Sequence, residues 1–135
     1  VAGGPAVQVS ELAGSWPVES PNGNYVYFVD SFDSAKPAGL WRVPVGGGSG
    51  VRITEGVSGS LFDVIDAGVY YIDRAAGEAR LQYFDFATSR TITIAGKLGN
   101  VPASSSLTVT RDGRLILFAR IDSALSDLML VENFR

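Results

Sequence analysis

A polar turn followed by an apolar strand occurs three times in this chain at a fixed interval. The turn glycines, Gly23, Gly68 and Gly113, are each 45 residues apart. Self-similarity with a period of about 20 to 50 residues is typical of propellers, solenoids and other repeat arrays. This period constrains the fold more than any other feature of the sequence, because each copy of such a repeat must pack against its neighbours.

The segments between the turns are short and rich in β-branched or aromatic residues, and Gly, Ser, Asn and Asp separate them. This pattern is typical of all-β proteins. One helix-like pattern, at residues 123–131, also fits a loop followed by a strand. The strands that we predict fall into three groups: 16–19, 25–29, 40–45 and 51–54; 61–65, 69–72, 81–86 and 91–94; and 106–110, 115–119 and 128–131.

The sequence therefore predicts an all-β half propeller of three four-stranded antiparallel β-propeller blades, at 13–56, 57–99 and 100–135. The last blade lacks a fourth strand, and we expect an isolated N-terminal strand at 6–10 to complete it. Propellers have about 4 to 8 blades, so three blades cannot close a ring. Two alternatives follow: the chain is a fragment of a larger propeller, which its start at Val1 favours, or two copies close a six-bladed dimer.

The character of the strands supports this prediction. The segments 25–29 and 115–118 are apolar at successive positions, as expected for strands that are covered on both faces. We expect the prominent aromatic side chains to pack between blades rather than to bind a ligand; these are Trp16, Trp41, Phe62, Tyr83 and Phe84.

The composition argues against several functions. The net charge is −3 and Lys and Arg do not cluster, which disfavours direct nucleic-acid binding. No apolar run approaches the ~20 residues that span a bilayer, so we predict no membrane segment in this piece. The chain has no Cys and no His, which excludes disulfides, thiolate metal sites and a Ser-His-Asp triad. We predict no catalytic residue, no metal site, no cofactor and no enzymatic activity.

Carboxylates recur after the second strands, on loops that would share one face of a propeller. The candidate ligand-binding residues are Asp30, Asp33, Asp73, Asp122 and Asp127. Converging carboxylates could bind a hard cation such as Ca²⁺. We favour the alternative, in which each Asp caps its own turn by accepting hydrogen bonds from nearby amides. Arg42 and Arg52 are expected to pair with surface carboxylates on neighbouring strands.

The segment 20–28, Ser-Pro-Asn-Gly-Asn-Tyr-Val-Tyr-Phe, resembles the core S-P-D-G-x-x-[IVL]-x-[FY] of the WD40-like (TolB-type) propeller repeat. The segment 40–48 is similar to the third strand and turn of that repeat, LWxVPxxGG. Residues 110–114 and 68–71 are weaker copies, the latter without the Ser-Pro-Asp part. The ending, 126–135, resembles the C-terminus of propellers in acidobacterial CadC-like transcriptional regulators, which carry an N-terminal winged-helix domain and often a membrane span.

This resemblance implies a non-catalytic sensing or protein-interaction module, the C-terminal part of a transcriptional regulator. In a membrane-bound regulator it would be the periplasmic or extracytoplasmic part. The implied partner is another protein or a second copy of the chain. Two alternatives stay open. The chain is the propeller of a serine peptidase of the prolyl-oligopeptidase or dipeptidyl-peptidase type, with its chemistry on another domain, or it is a purely structural assembly unit.

Overall fold

The computed structural model describes residues 4–31, 33, 37–74 and 77–123. Within these residues the chain forms nine β-strands and no α-helix, which confirms the all-β prediction. The strands are β1 (Ser15–Glu19), β2 (Tyr25–Val29), β3 (Pro37–Pro44), β4 (Val51–Ile65), β5 (Gly68–Asp73), β6 (Arg80–Asp85), β7 (Arg90–Ala95), β8 (Leu107–Val109) and β9 (Ile116–Phe118).

Strands β1 to β7 form one antiparallel sheet in which each strand lies beside the strand that precedes it in the chain. Strands β8 and β9 pair with each other in a separate two-stranded sheet. Short turns can join antiparallel strands, and the polar segments of the sequence supply them. The predicted strands 25–29, 40–45, 69–72 and 81–86 agree with β2, β3, β5 and β6 to within three residues.

Strand β4 is longer than the sequence predicts. The predicted strands 51–54 and 61–65 belong to one continuous strand, so the predicted break between them is wrong. Val57 pairs with Ala38 of β3 on one edge and with Asp73 of β5 on the other. The registers shift beside this point, where Gly56 and Gly59 have φ angles of 82° and 56° that suit glycine. The chain thus changes partner strands without a loop.

The seven-stranded sheet folds back on itself at β4. Tyr27 in β2 and Phe86, which follows β6, stack with ring centroids 6.0 Å apart. In a flat sheet β2 and β6 would be separated by four strand spacings, roughly 19 Å. Two parts of the sheet therefore lie face to face. We call β1, β2, β3 and residues 51–56 leaf one, and residues 57–65 with β5, β6 and β7 leaf two.

Two hydrophobic cores hold these parts together. The first core lies between the leaves and contains Tyr27, Val29, Ala38, Leu40, Val57, Phe62, Val64, Val69 and Tyr71. The second core joins leaf two to β8 and β9 and contains Leu61, Ile72, Ala79, Leu81, Val101 and Leu107. Along β5 the side chains alternate: Val69 and Tyr71 enter the first core, whereas Tyr70 and Ile72 contact the second. Strand β5 is therefore covered on both faces.

Burial of the second strand on both faces is confirmed in the first repeat and wrong in the third. In β2, Tyr27 lies in the first core and Phe28, on the opposite face, is only 5% exposed. In β9, Ile116 packs against the second core. Leu115, just before β9, and Leu117 are 70% and 71% exposed. The described part of the chain places nothing over that face of the β8–β9 hairpin.

The first turn is built by side-chain hydrogen bonds. Ser20 Oγ accepts a hydrogen bond from the Tyr25 amide at 2.9 Å and donates to Asn22 Oδ1 at 2.8 Å. Asn22 Oδ1 also accepts from the Asn24 amide at 3.0 Å. Gly23 has a φ of 71° and donates its amide to the Ser20 carbonyl at 2.9 Å. This left-handed conformation explains the glycine at that position.

The third turn repeats this network 90 residues later. Thr110 Oγ1 accepts from the Leu115 amide at 3.1 Å and donates to Asp112 Oδ1 at 2.5 Å. Asp112 Oδ1 accepts from the Arg114 amide at 3.1 Å. Gly113 has a φ of 69°. The Thr110 hydrogen bond, followed by that of the Arg114 amide, lowers the pKa of the Asp112 carboxyl.

The second turn, in the copy that lacks the Ser-Pro-Asp part, departs from this design. Ile65 and Ala67 replace the polar residues, and Ile65 pairs directly with Gly68 in the ladder. Gly68 is not among the glycines with positive φ. Its small size matters for another reason, because a Cβ there would lie 2.6 Å from the ring of Tyr83.

Residues 6–10 do not form the strand that we predict for them. Gln8 Nε2 donates to the Ser10 carbonyl at 2.9 Å, and Ser10 Oγ accepts from the Leu12 amide at 3.0 Å. Such local side-chain bonds satisfy backbone groups that a strand partner would otherwise use. The predicted strand at 128–131 lies outside the described residues, and so does most of the helix-like pattern at 123–131.

Three of the five prominent aromatic side chains pack between the two leaves. Trp16, Phe62 and Phe84 lie in or against the first core. Tyr83 contacts Tyr70 of the adjacent strand β5, with ring centroids 4.6 Å apart and ring planes tilted by 37°. Trp41 also belongs to neither core, and it donates its indole N–H to the Asp30 carboxylate at 2.9 Å.

Candidate functional site

Contacts between successive repeats occur at the repeat spacing. Ser60 Oγ donates to the carbonyl of Ser105, 45 residues further along, at 2.7 Å. Asp63 Oδ2 accepts from Thr108 Oγ1 at 3.2 Å, again 45 residues apart, and from the Val109 amide at 2.7 Å. These bonds join β4 to β8 and its preceding loop, so equivalent positions of consecutive repeats face each other. They join leaf two directly to the third repeat.

A cleft opens between the two leaves at the end of the sheet that carries the first and second turns. It lies between Tyr25, Tyr27 and Arg42 of leaf one and the Asp66 turn and Phe86 next to leaf two. Its volume is about 140 Å³. We call it the Arg42 cleft, because Arg42 is its one cationic side chain among the described lining residues.

Arg42 carries a positive charge that no ion pair in the described part of the chain neutralises. Its guanidinium carbon lies 4.7 Å from the ring centroid of Tyr25, within the range of a cation–π contact. Arg52, one strand away, pairs with Glu55 of the same strand at 2.6 Å. The predicted cross-strand carboxylate partner is therefore wrong for both arginines: that of Arg52 lies on its own strand, and Arg42 packs on an aromatic ring.

Tyr27 supplies a neutral hydroxyl beside this charge. Burial raises the pKa of Tyr27 above its usual value, and the hydrogen bond and charge of Arg42 lower it by less. A guanidinium with several N–H donors fits the two oxygens of a carboxylate. Because Asp66 is exposed on the rim, its charge opposes an incoming anion. Arg42 and the Tyr27 hydroxyl therefore suit a carboxylate that passes the Asp66 side chain at the rim of the cleft.

Arg42 also breaks the pattern of the repeat. It pairs with Tyr27, whereas the residue 45 positions after Tyr27, Ile72, pairs with Leu81. Leu81 is 5% exposed and belongs to the second core. Departures from a consistent local pattern are expected at functional sites. Sequence reasoning missed this equivalence because the intervening loops differ in length, so the two positions are not 45 residues apart.

Among the predicted site residues, Asp30 acts within its own loop. Its Oδ1 accepts from the Gly39 amide at 2.8 Å and its Oδ2 accepts from Trp41 Nε1 at 2.9 Å. The Asp30 amide donates to the Gly39 carbonyl at 3.1 Å. Both carboxylate oxygens therefore hold the β2–β3 connection, as the turn-capping interpretation expects.

The structure does not assemble the other predicted carboxylates into an ion site. Asp33 lies in the β2–β3 connection, and Asp73 ends β5. Asp122 pairs with Arg120 at 2.6 Å, which raises the pKa of Arg120. Asp127 lies outside the described residues. Within the residues that are described, no three acidic, His or Cys side chains are placed to hold a metal ion. Ligand binding by this set stays a prediction.

A larger groove, of about 810 Å³, lies between residues 8–12, Trp41 and the glycine turn 47–50. Of the described residues that line it, Glu11 alone is ionisable. Glycine backbone and small polar side chains form much of its wall. It therefore lacks the converging groups that distinguish the Arg42 cleft.

Comparison of the sequence with models of protein families finds no match, and neither does comparison with curated proteins. Within the part of the chain that the structure describes, no helix is long and apolar enough to cross a membrane. The function proposed below therefore depends on the geometry and on the repeat.

Proposed function

We propose that the chain consists of three consecutive β-propeller blades and acts as a non-catalytic module that binds a protein partner. The observation that carries this proposal is the set of contacts at the repeat spacing between Ser60 and Ser105 and between Asp63 and Thr108. Leaf one, leaf two and the β8–β9 hairpin would be the blades. The two cores would then be the interfaces between blades, as in radial repeats of four-stranded sheets.

The continuous strand β4 supports this proposal. In a propeller the outermost strand of one blade leads into the innermost strand of the next. Residues 51–54 pair with β3 and residues 62–65 pair with β5. The first part of β4 would thus be the outermost strand of one blade and the last part the innermost strand of the next.

The size of the Arg42 cleft favours a protein ligand over a metabolite. Pockets for small molecules measure about 300–1,000 Å³, whereas this cleft measures about 140 Å³. That volume suits a single side chain. Because Arg42 has no carboxylate partner in the described structure, we propose that the cleft takes a Glu or Asp side chain of the partner.

A titration with a glutamate tetrapeptide with blocked ends, followed by NMR, tests this site. We expect the ring resonances of Tyr25 and Tyr27 to shift and the effect to weaken with added salt. Arg42→Gln should abolish the shifts, whereas the matched variant Arg52→Gln should keep them, since Arg52 is already paired with Glu55. Asp66→Asn should tighten binding, because it removes a like charge from the rim.

Two results would contradict the binding role. One is peptide binding that survives in Arg42→Gln, which would place the site elsewhere. The other is turnover of a peptide or ester substrate that is lost when Asp30 or Asp63 is replaced by Asn, which would make the chain an enzyme. The blades themselves are tested separately, by nuclear Overhauser effects between Ser60 and Ser105 and between Asp63 and Val109.

On the resemblance to CadC-like regulators we propose that this module is the C-terminal part of a transcriptional regulator, where partner binding would be the sensed signal. The coding sequence around the chain tests that context. A winged-helix segment encoded upstream of Val1 would support it. A reading frame that continues past Arg135 into a Gly-x-Ser-x-Gly segment would instead indicate the propeller of a serine peptidase.

A further inference from the structure

The exposed face of the β8–β9 hairpin occupies a repeat position that is covered in the two earlier repeats. In β2, Tyr27 enters the first core, which faces the following repeat. Its equivalent 45 residues later, Ile72, enters the second core, which again faces the following repeat. The next equivalent is Leu117, which is 71% exposed. Leu115, the equivalent of Tyr25 and Tyr70, is 70% exposed.

These two leucines occupy a position that is packed against the following repeat in the first two repeats and that the described residues leave exposed in the third. We call Leu115 and Leu117 the open face. Their neighbour Ile116 points the other way and packs against the second core. The open face is therefore the side of the third repeat on which a further blade of the same kind would pack. Because each of the two cores lies between one repeat and the next, we expect a further repeat of the same kind to cover the open face.

The chain also carries the complementary surface, on the side of leaf one that faces away from leaf two. Val26, Phe28 and Val43 form this surface, and Val26 and Val43 are paired across β2 and β3. Phe28 is 5% exposed and Val43 is fully buried. In the later repeats the equivalents of Val26, Tyr71 and Ile116, pack against the preceding repeat. We call Val26, Phe28 and Val43 the capped face.

Residues 8–14 cover the capped face. Val9 and Leu12 lie beside Val26 and Phe28, and a Cβ on Gly14 would come within 2.8 Å of the Phe28 ring. The side-chain hydrogen bonds of this segment in the described structure are local, from Gln8 to Ser10 and within residues 10–12. Leu12 itself is 43% exposed. A segment held in this way can be displaced by a better-fitting surface.

We infer that the open face of one chain docks on the capped face of a second copy, which displaces residues 8–14, and that the reciprocal contact closes a ring. This inference rests on the proposed three blades. Propellers have about 4 to 8 blades, and copies of a three-blade chain give three, six or nine. Two copies are the number that falls in this range. The contact is head to tail, so it closes only if the rotation between blades suits a six-bladed ring.

Sedimentation and light scattering of the full chain test this inference. The wild type should have twice the chain mass of 14.3 kDa. The double variant Leu115→Lys/Leu117→Lys should weaken the dimer at least about 100-fold, because two buried leucines lose their apolar contacts. A matched control is Ile92→Lys/Ile94→Lys on β7, whose side chains are 54% and 47% exposed and lie outside both faces. It should leave the dimer intact.

Leu12→Ser provides a second, independent variant. It should weaken the packing of residues 8–14 on the capped face and so lower the dissociation constant of the dimer. If the substitution only reduced packing within the chain, the dissociation constant would not fall. Circular dichroism of each variant establishes that it is folded.

A folded wild-type monomer would overturn the inference, and so would a dimer that the β7 variant breaks or open polymers without closure. None of these outcomes touches the proposed blades, which are judged by the Ser60–Ser105 and Asp63–Val109 proximities. Loss of those proximities would overturn both.

Discussion

Removal of the Asp63 carboxylate should weaken the junction between leaf two and β8 more than any other single change in a polar contact there. Asp63 Oδ2 accepts from the Val109 amide at 2.7 Å and from Thr108 Oγ1 at 3.2 Å, and Asp63 Oδ1 accepts from the Val64 amide at 2.8 Å. Asp63→Ala deletes all three bonds and leaves the Val109 amide without this acceptor.

The loss of stability expected for Asp63→Ala depends on the charge of the Asp63 carboxylate and on its partial burial. A hydrogen bond to a charged group contributes about 1.5–3 kcal/mol, and a neutral one about 0.5–1.5 kcal/mol. The short bond to Val109 is partly buried, whereas the longer bond to Thr108 is exposed. We therefore expect Asp63→Ala to lower the free energy of unfolding by about 2–3 kcal/mol. Thr108→Val should lower it by less than about 1 kcal/mol.

Urea unfolding followed by circular dichroism measures these changes, and amide exchange of Val109 reports the bond itself. Val109 should exchange faster in Asp63→Ala but not in Thr108→Val. The exposed Asp66 is the matched control, and Asp66→Ala should change stability by less than about 0.5 kcal/mol. If Asp63→Ala matches this control and Val109 exchange is unchanged, the carboxylate does not join the repeats and the reasoning fails.

Three further predictions concern the turns and the cleft. The turn bonds lower the pKa of Asp112 below its ordinary value of 3.8, so its contribution to stability is present above pH 3.8 and is lost as the pH falls below it. Asp112→Asn should therefore reduce the fall of the melting temperature between pH 5 and pH 2. Gly68→Ala should destabilise by roughly 1–3 kcal/mol in urea unfolding, because its Cβ meets the backbone carbonyl of Phe84 and the Tyr83 ring. Gly46→Ala, with open space around it, should be neutral. Arg42→Leu should raise the melting temperature while abolishing binding of the glutamate peptide, and a variant that still binds would contradict the role of the guanidinium.

The parts of the fold that the sequence predicts are those fixed by local chemistry. The turn at Ser20 and its copy at Thr110 could be recognised because a hydroxyl, a following Asn or Asp and a glycine each satisfy a defined part of the turn. Strands such as β2 and β5 are short apolar segments bounded by these turns. Their limits follow from the turns, and so the predicted and observed strands nearly coincide.

The parts that the sequence did not predict depend on contacts between distant residues. The continuity of β4 depends on Val57, which pairs with strands on both of its edges. Gly56 and Gly59 indicate a turn when only neighbours are considered, yet here they bend a strand that stays paired. Residues 6–10 have the alternation of a strand, but local side-chain hydrogen bonds within residues 8–12 take the place of a strand partner.

The Arg42 cleft was hidden for a different reason. Its three leaf-one residues come from two strands. Arg42 follows Tyr27 by 15 positions whereas Leu81 follows Ile72 by nine, so Arg42 and Leu81 are not aligned by the constant spacing. Their equivalence appears only when Tyr27 and Ile72 are compared through the strand that pairs with each. The register of the sheet, rather than the spacing of the sequence, thus identifies the candidate site.

This equivalence also bears on why the first repeat tolerates a less apolar interface. At the same position Leu81 contributes a buried apolar side chain to the second core, and burial of a leucine stabilises a protein by about 1.5–3 kcal/mol. Arg42 lacks most of that contribution, and its guanidinium charge lies beside Tyr25 and Tyr27. The hydrogen bonds of Ser60 and Asp63 lie at the other junction of leaf two, the junction that contains Leu81. The junction between leaf two and β8 thus has a buried leucine at the position where the junction between the leaves has Arg42, the residue that we propose binds a partner.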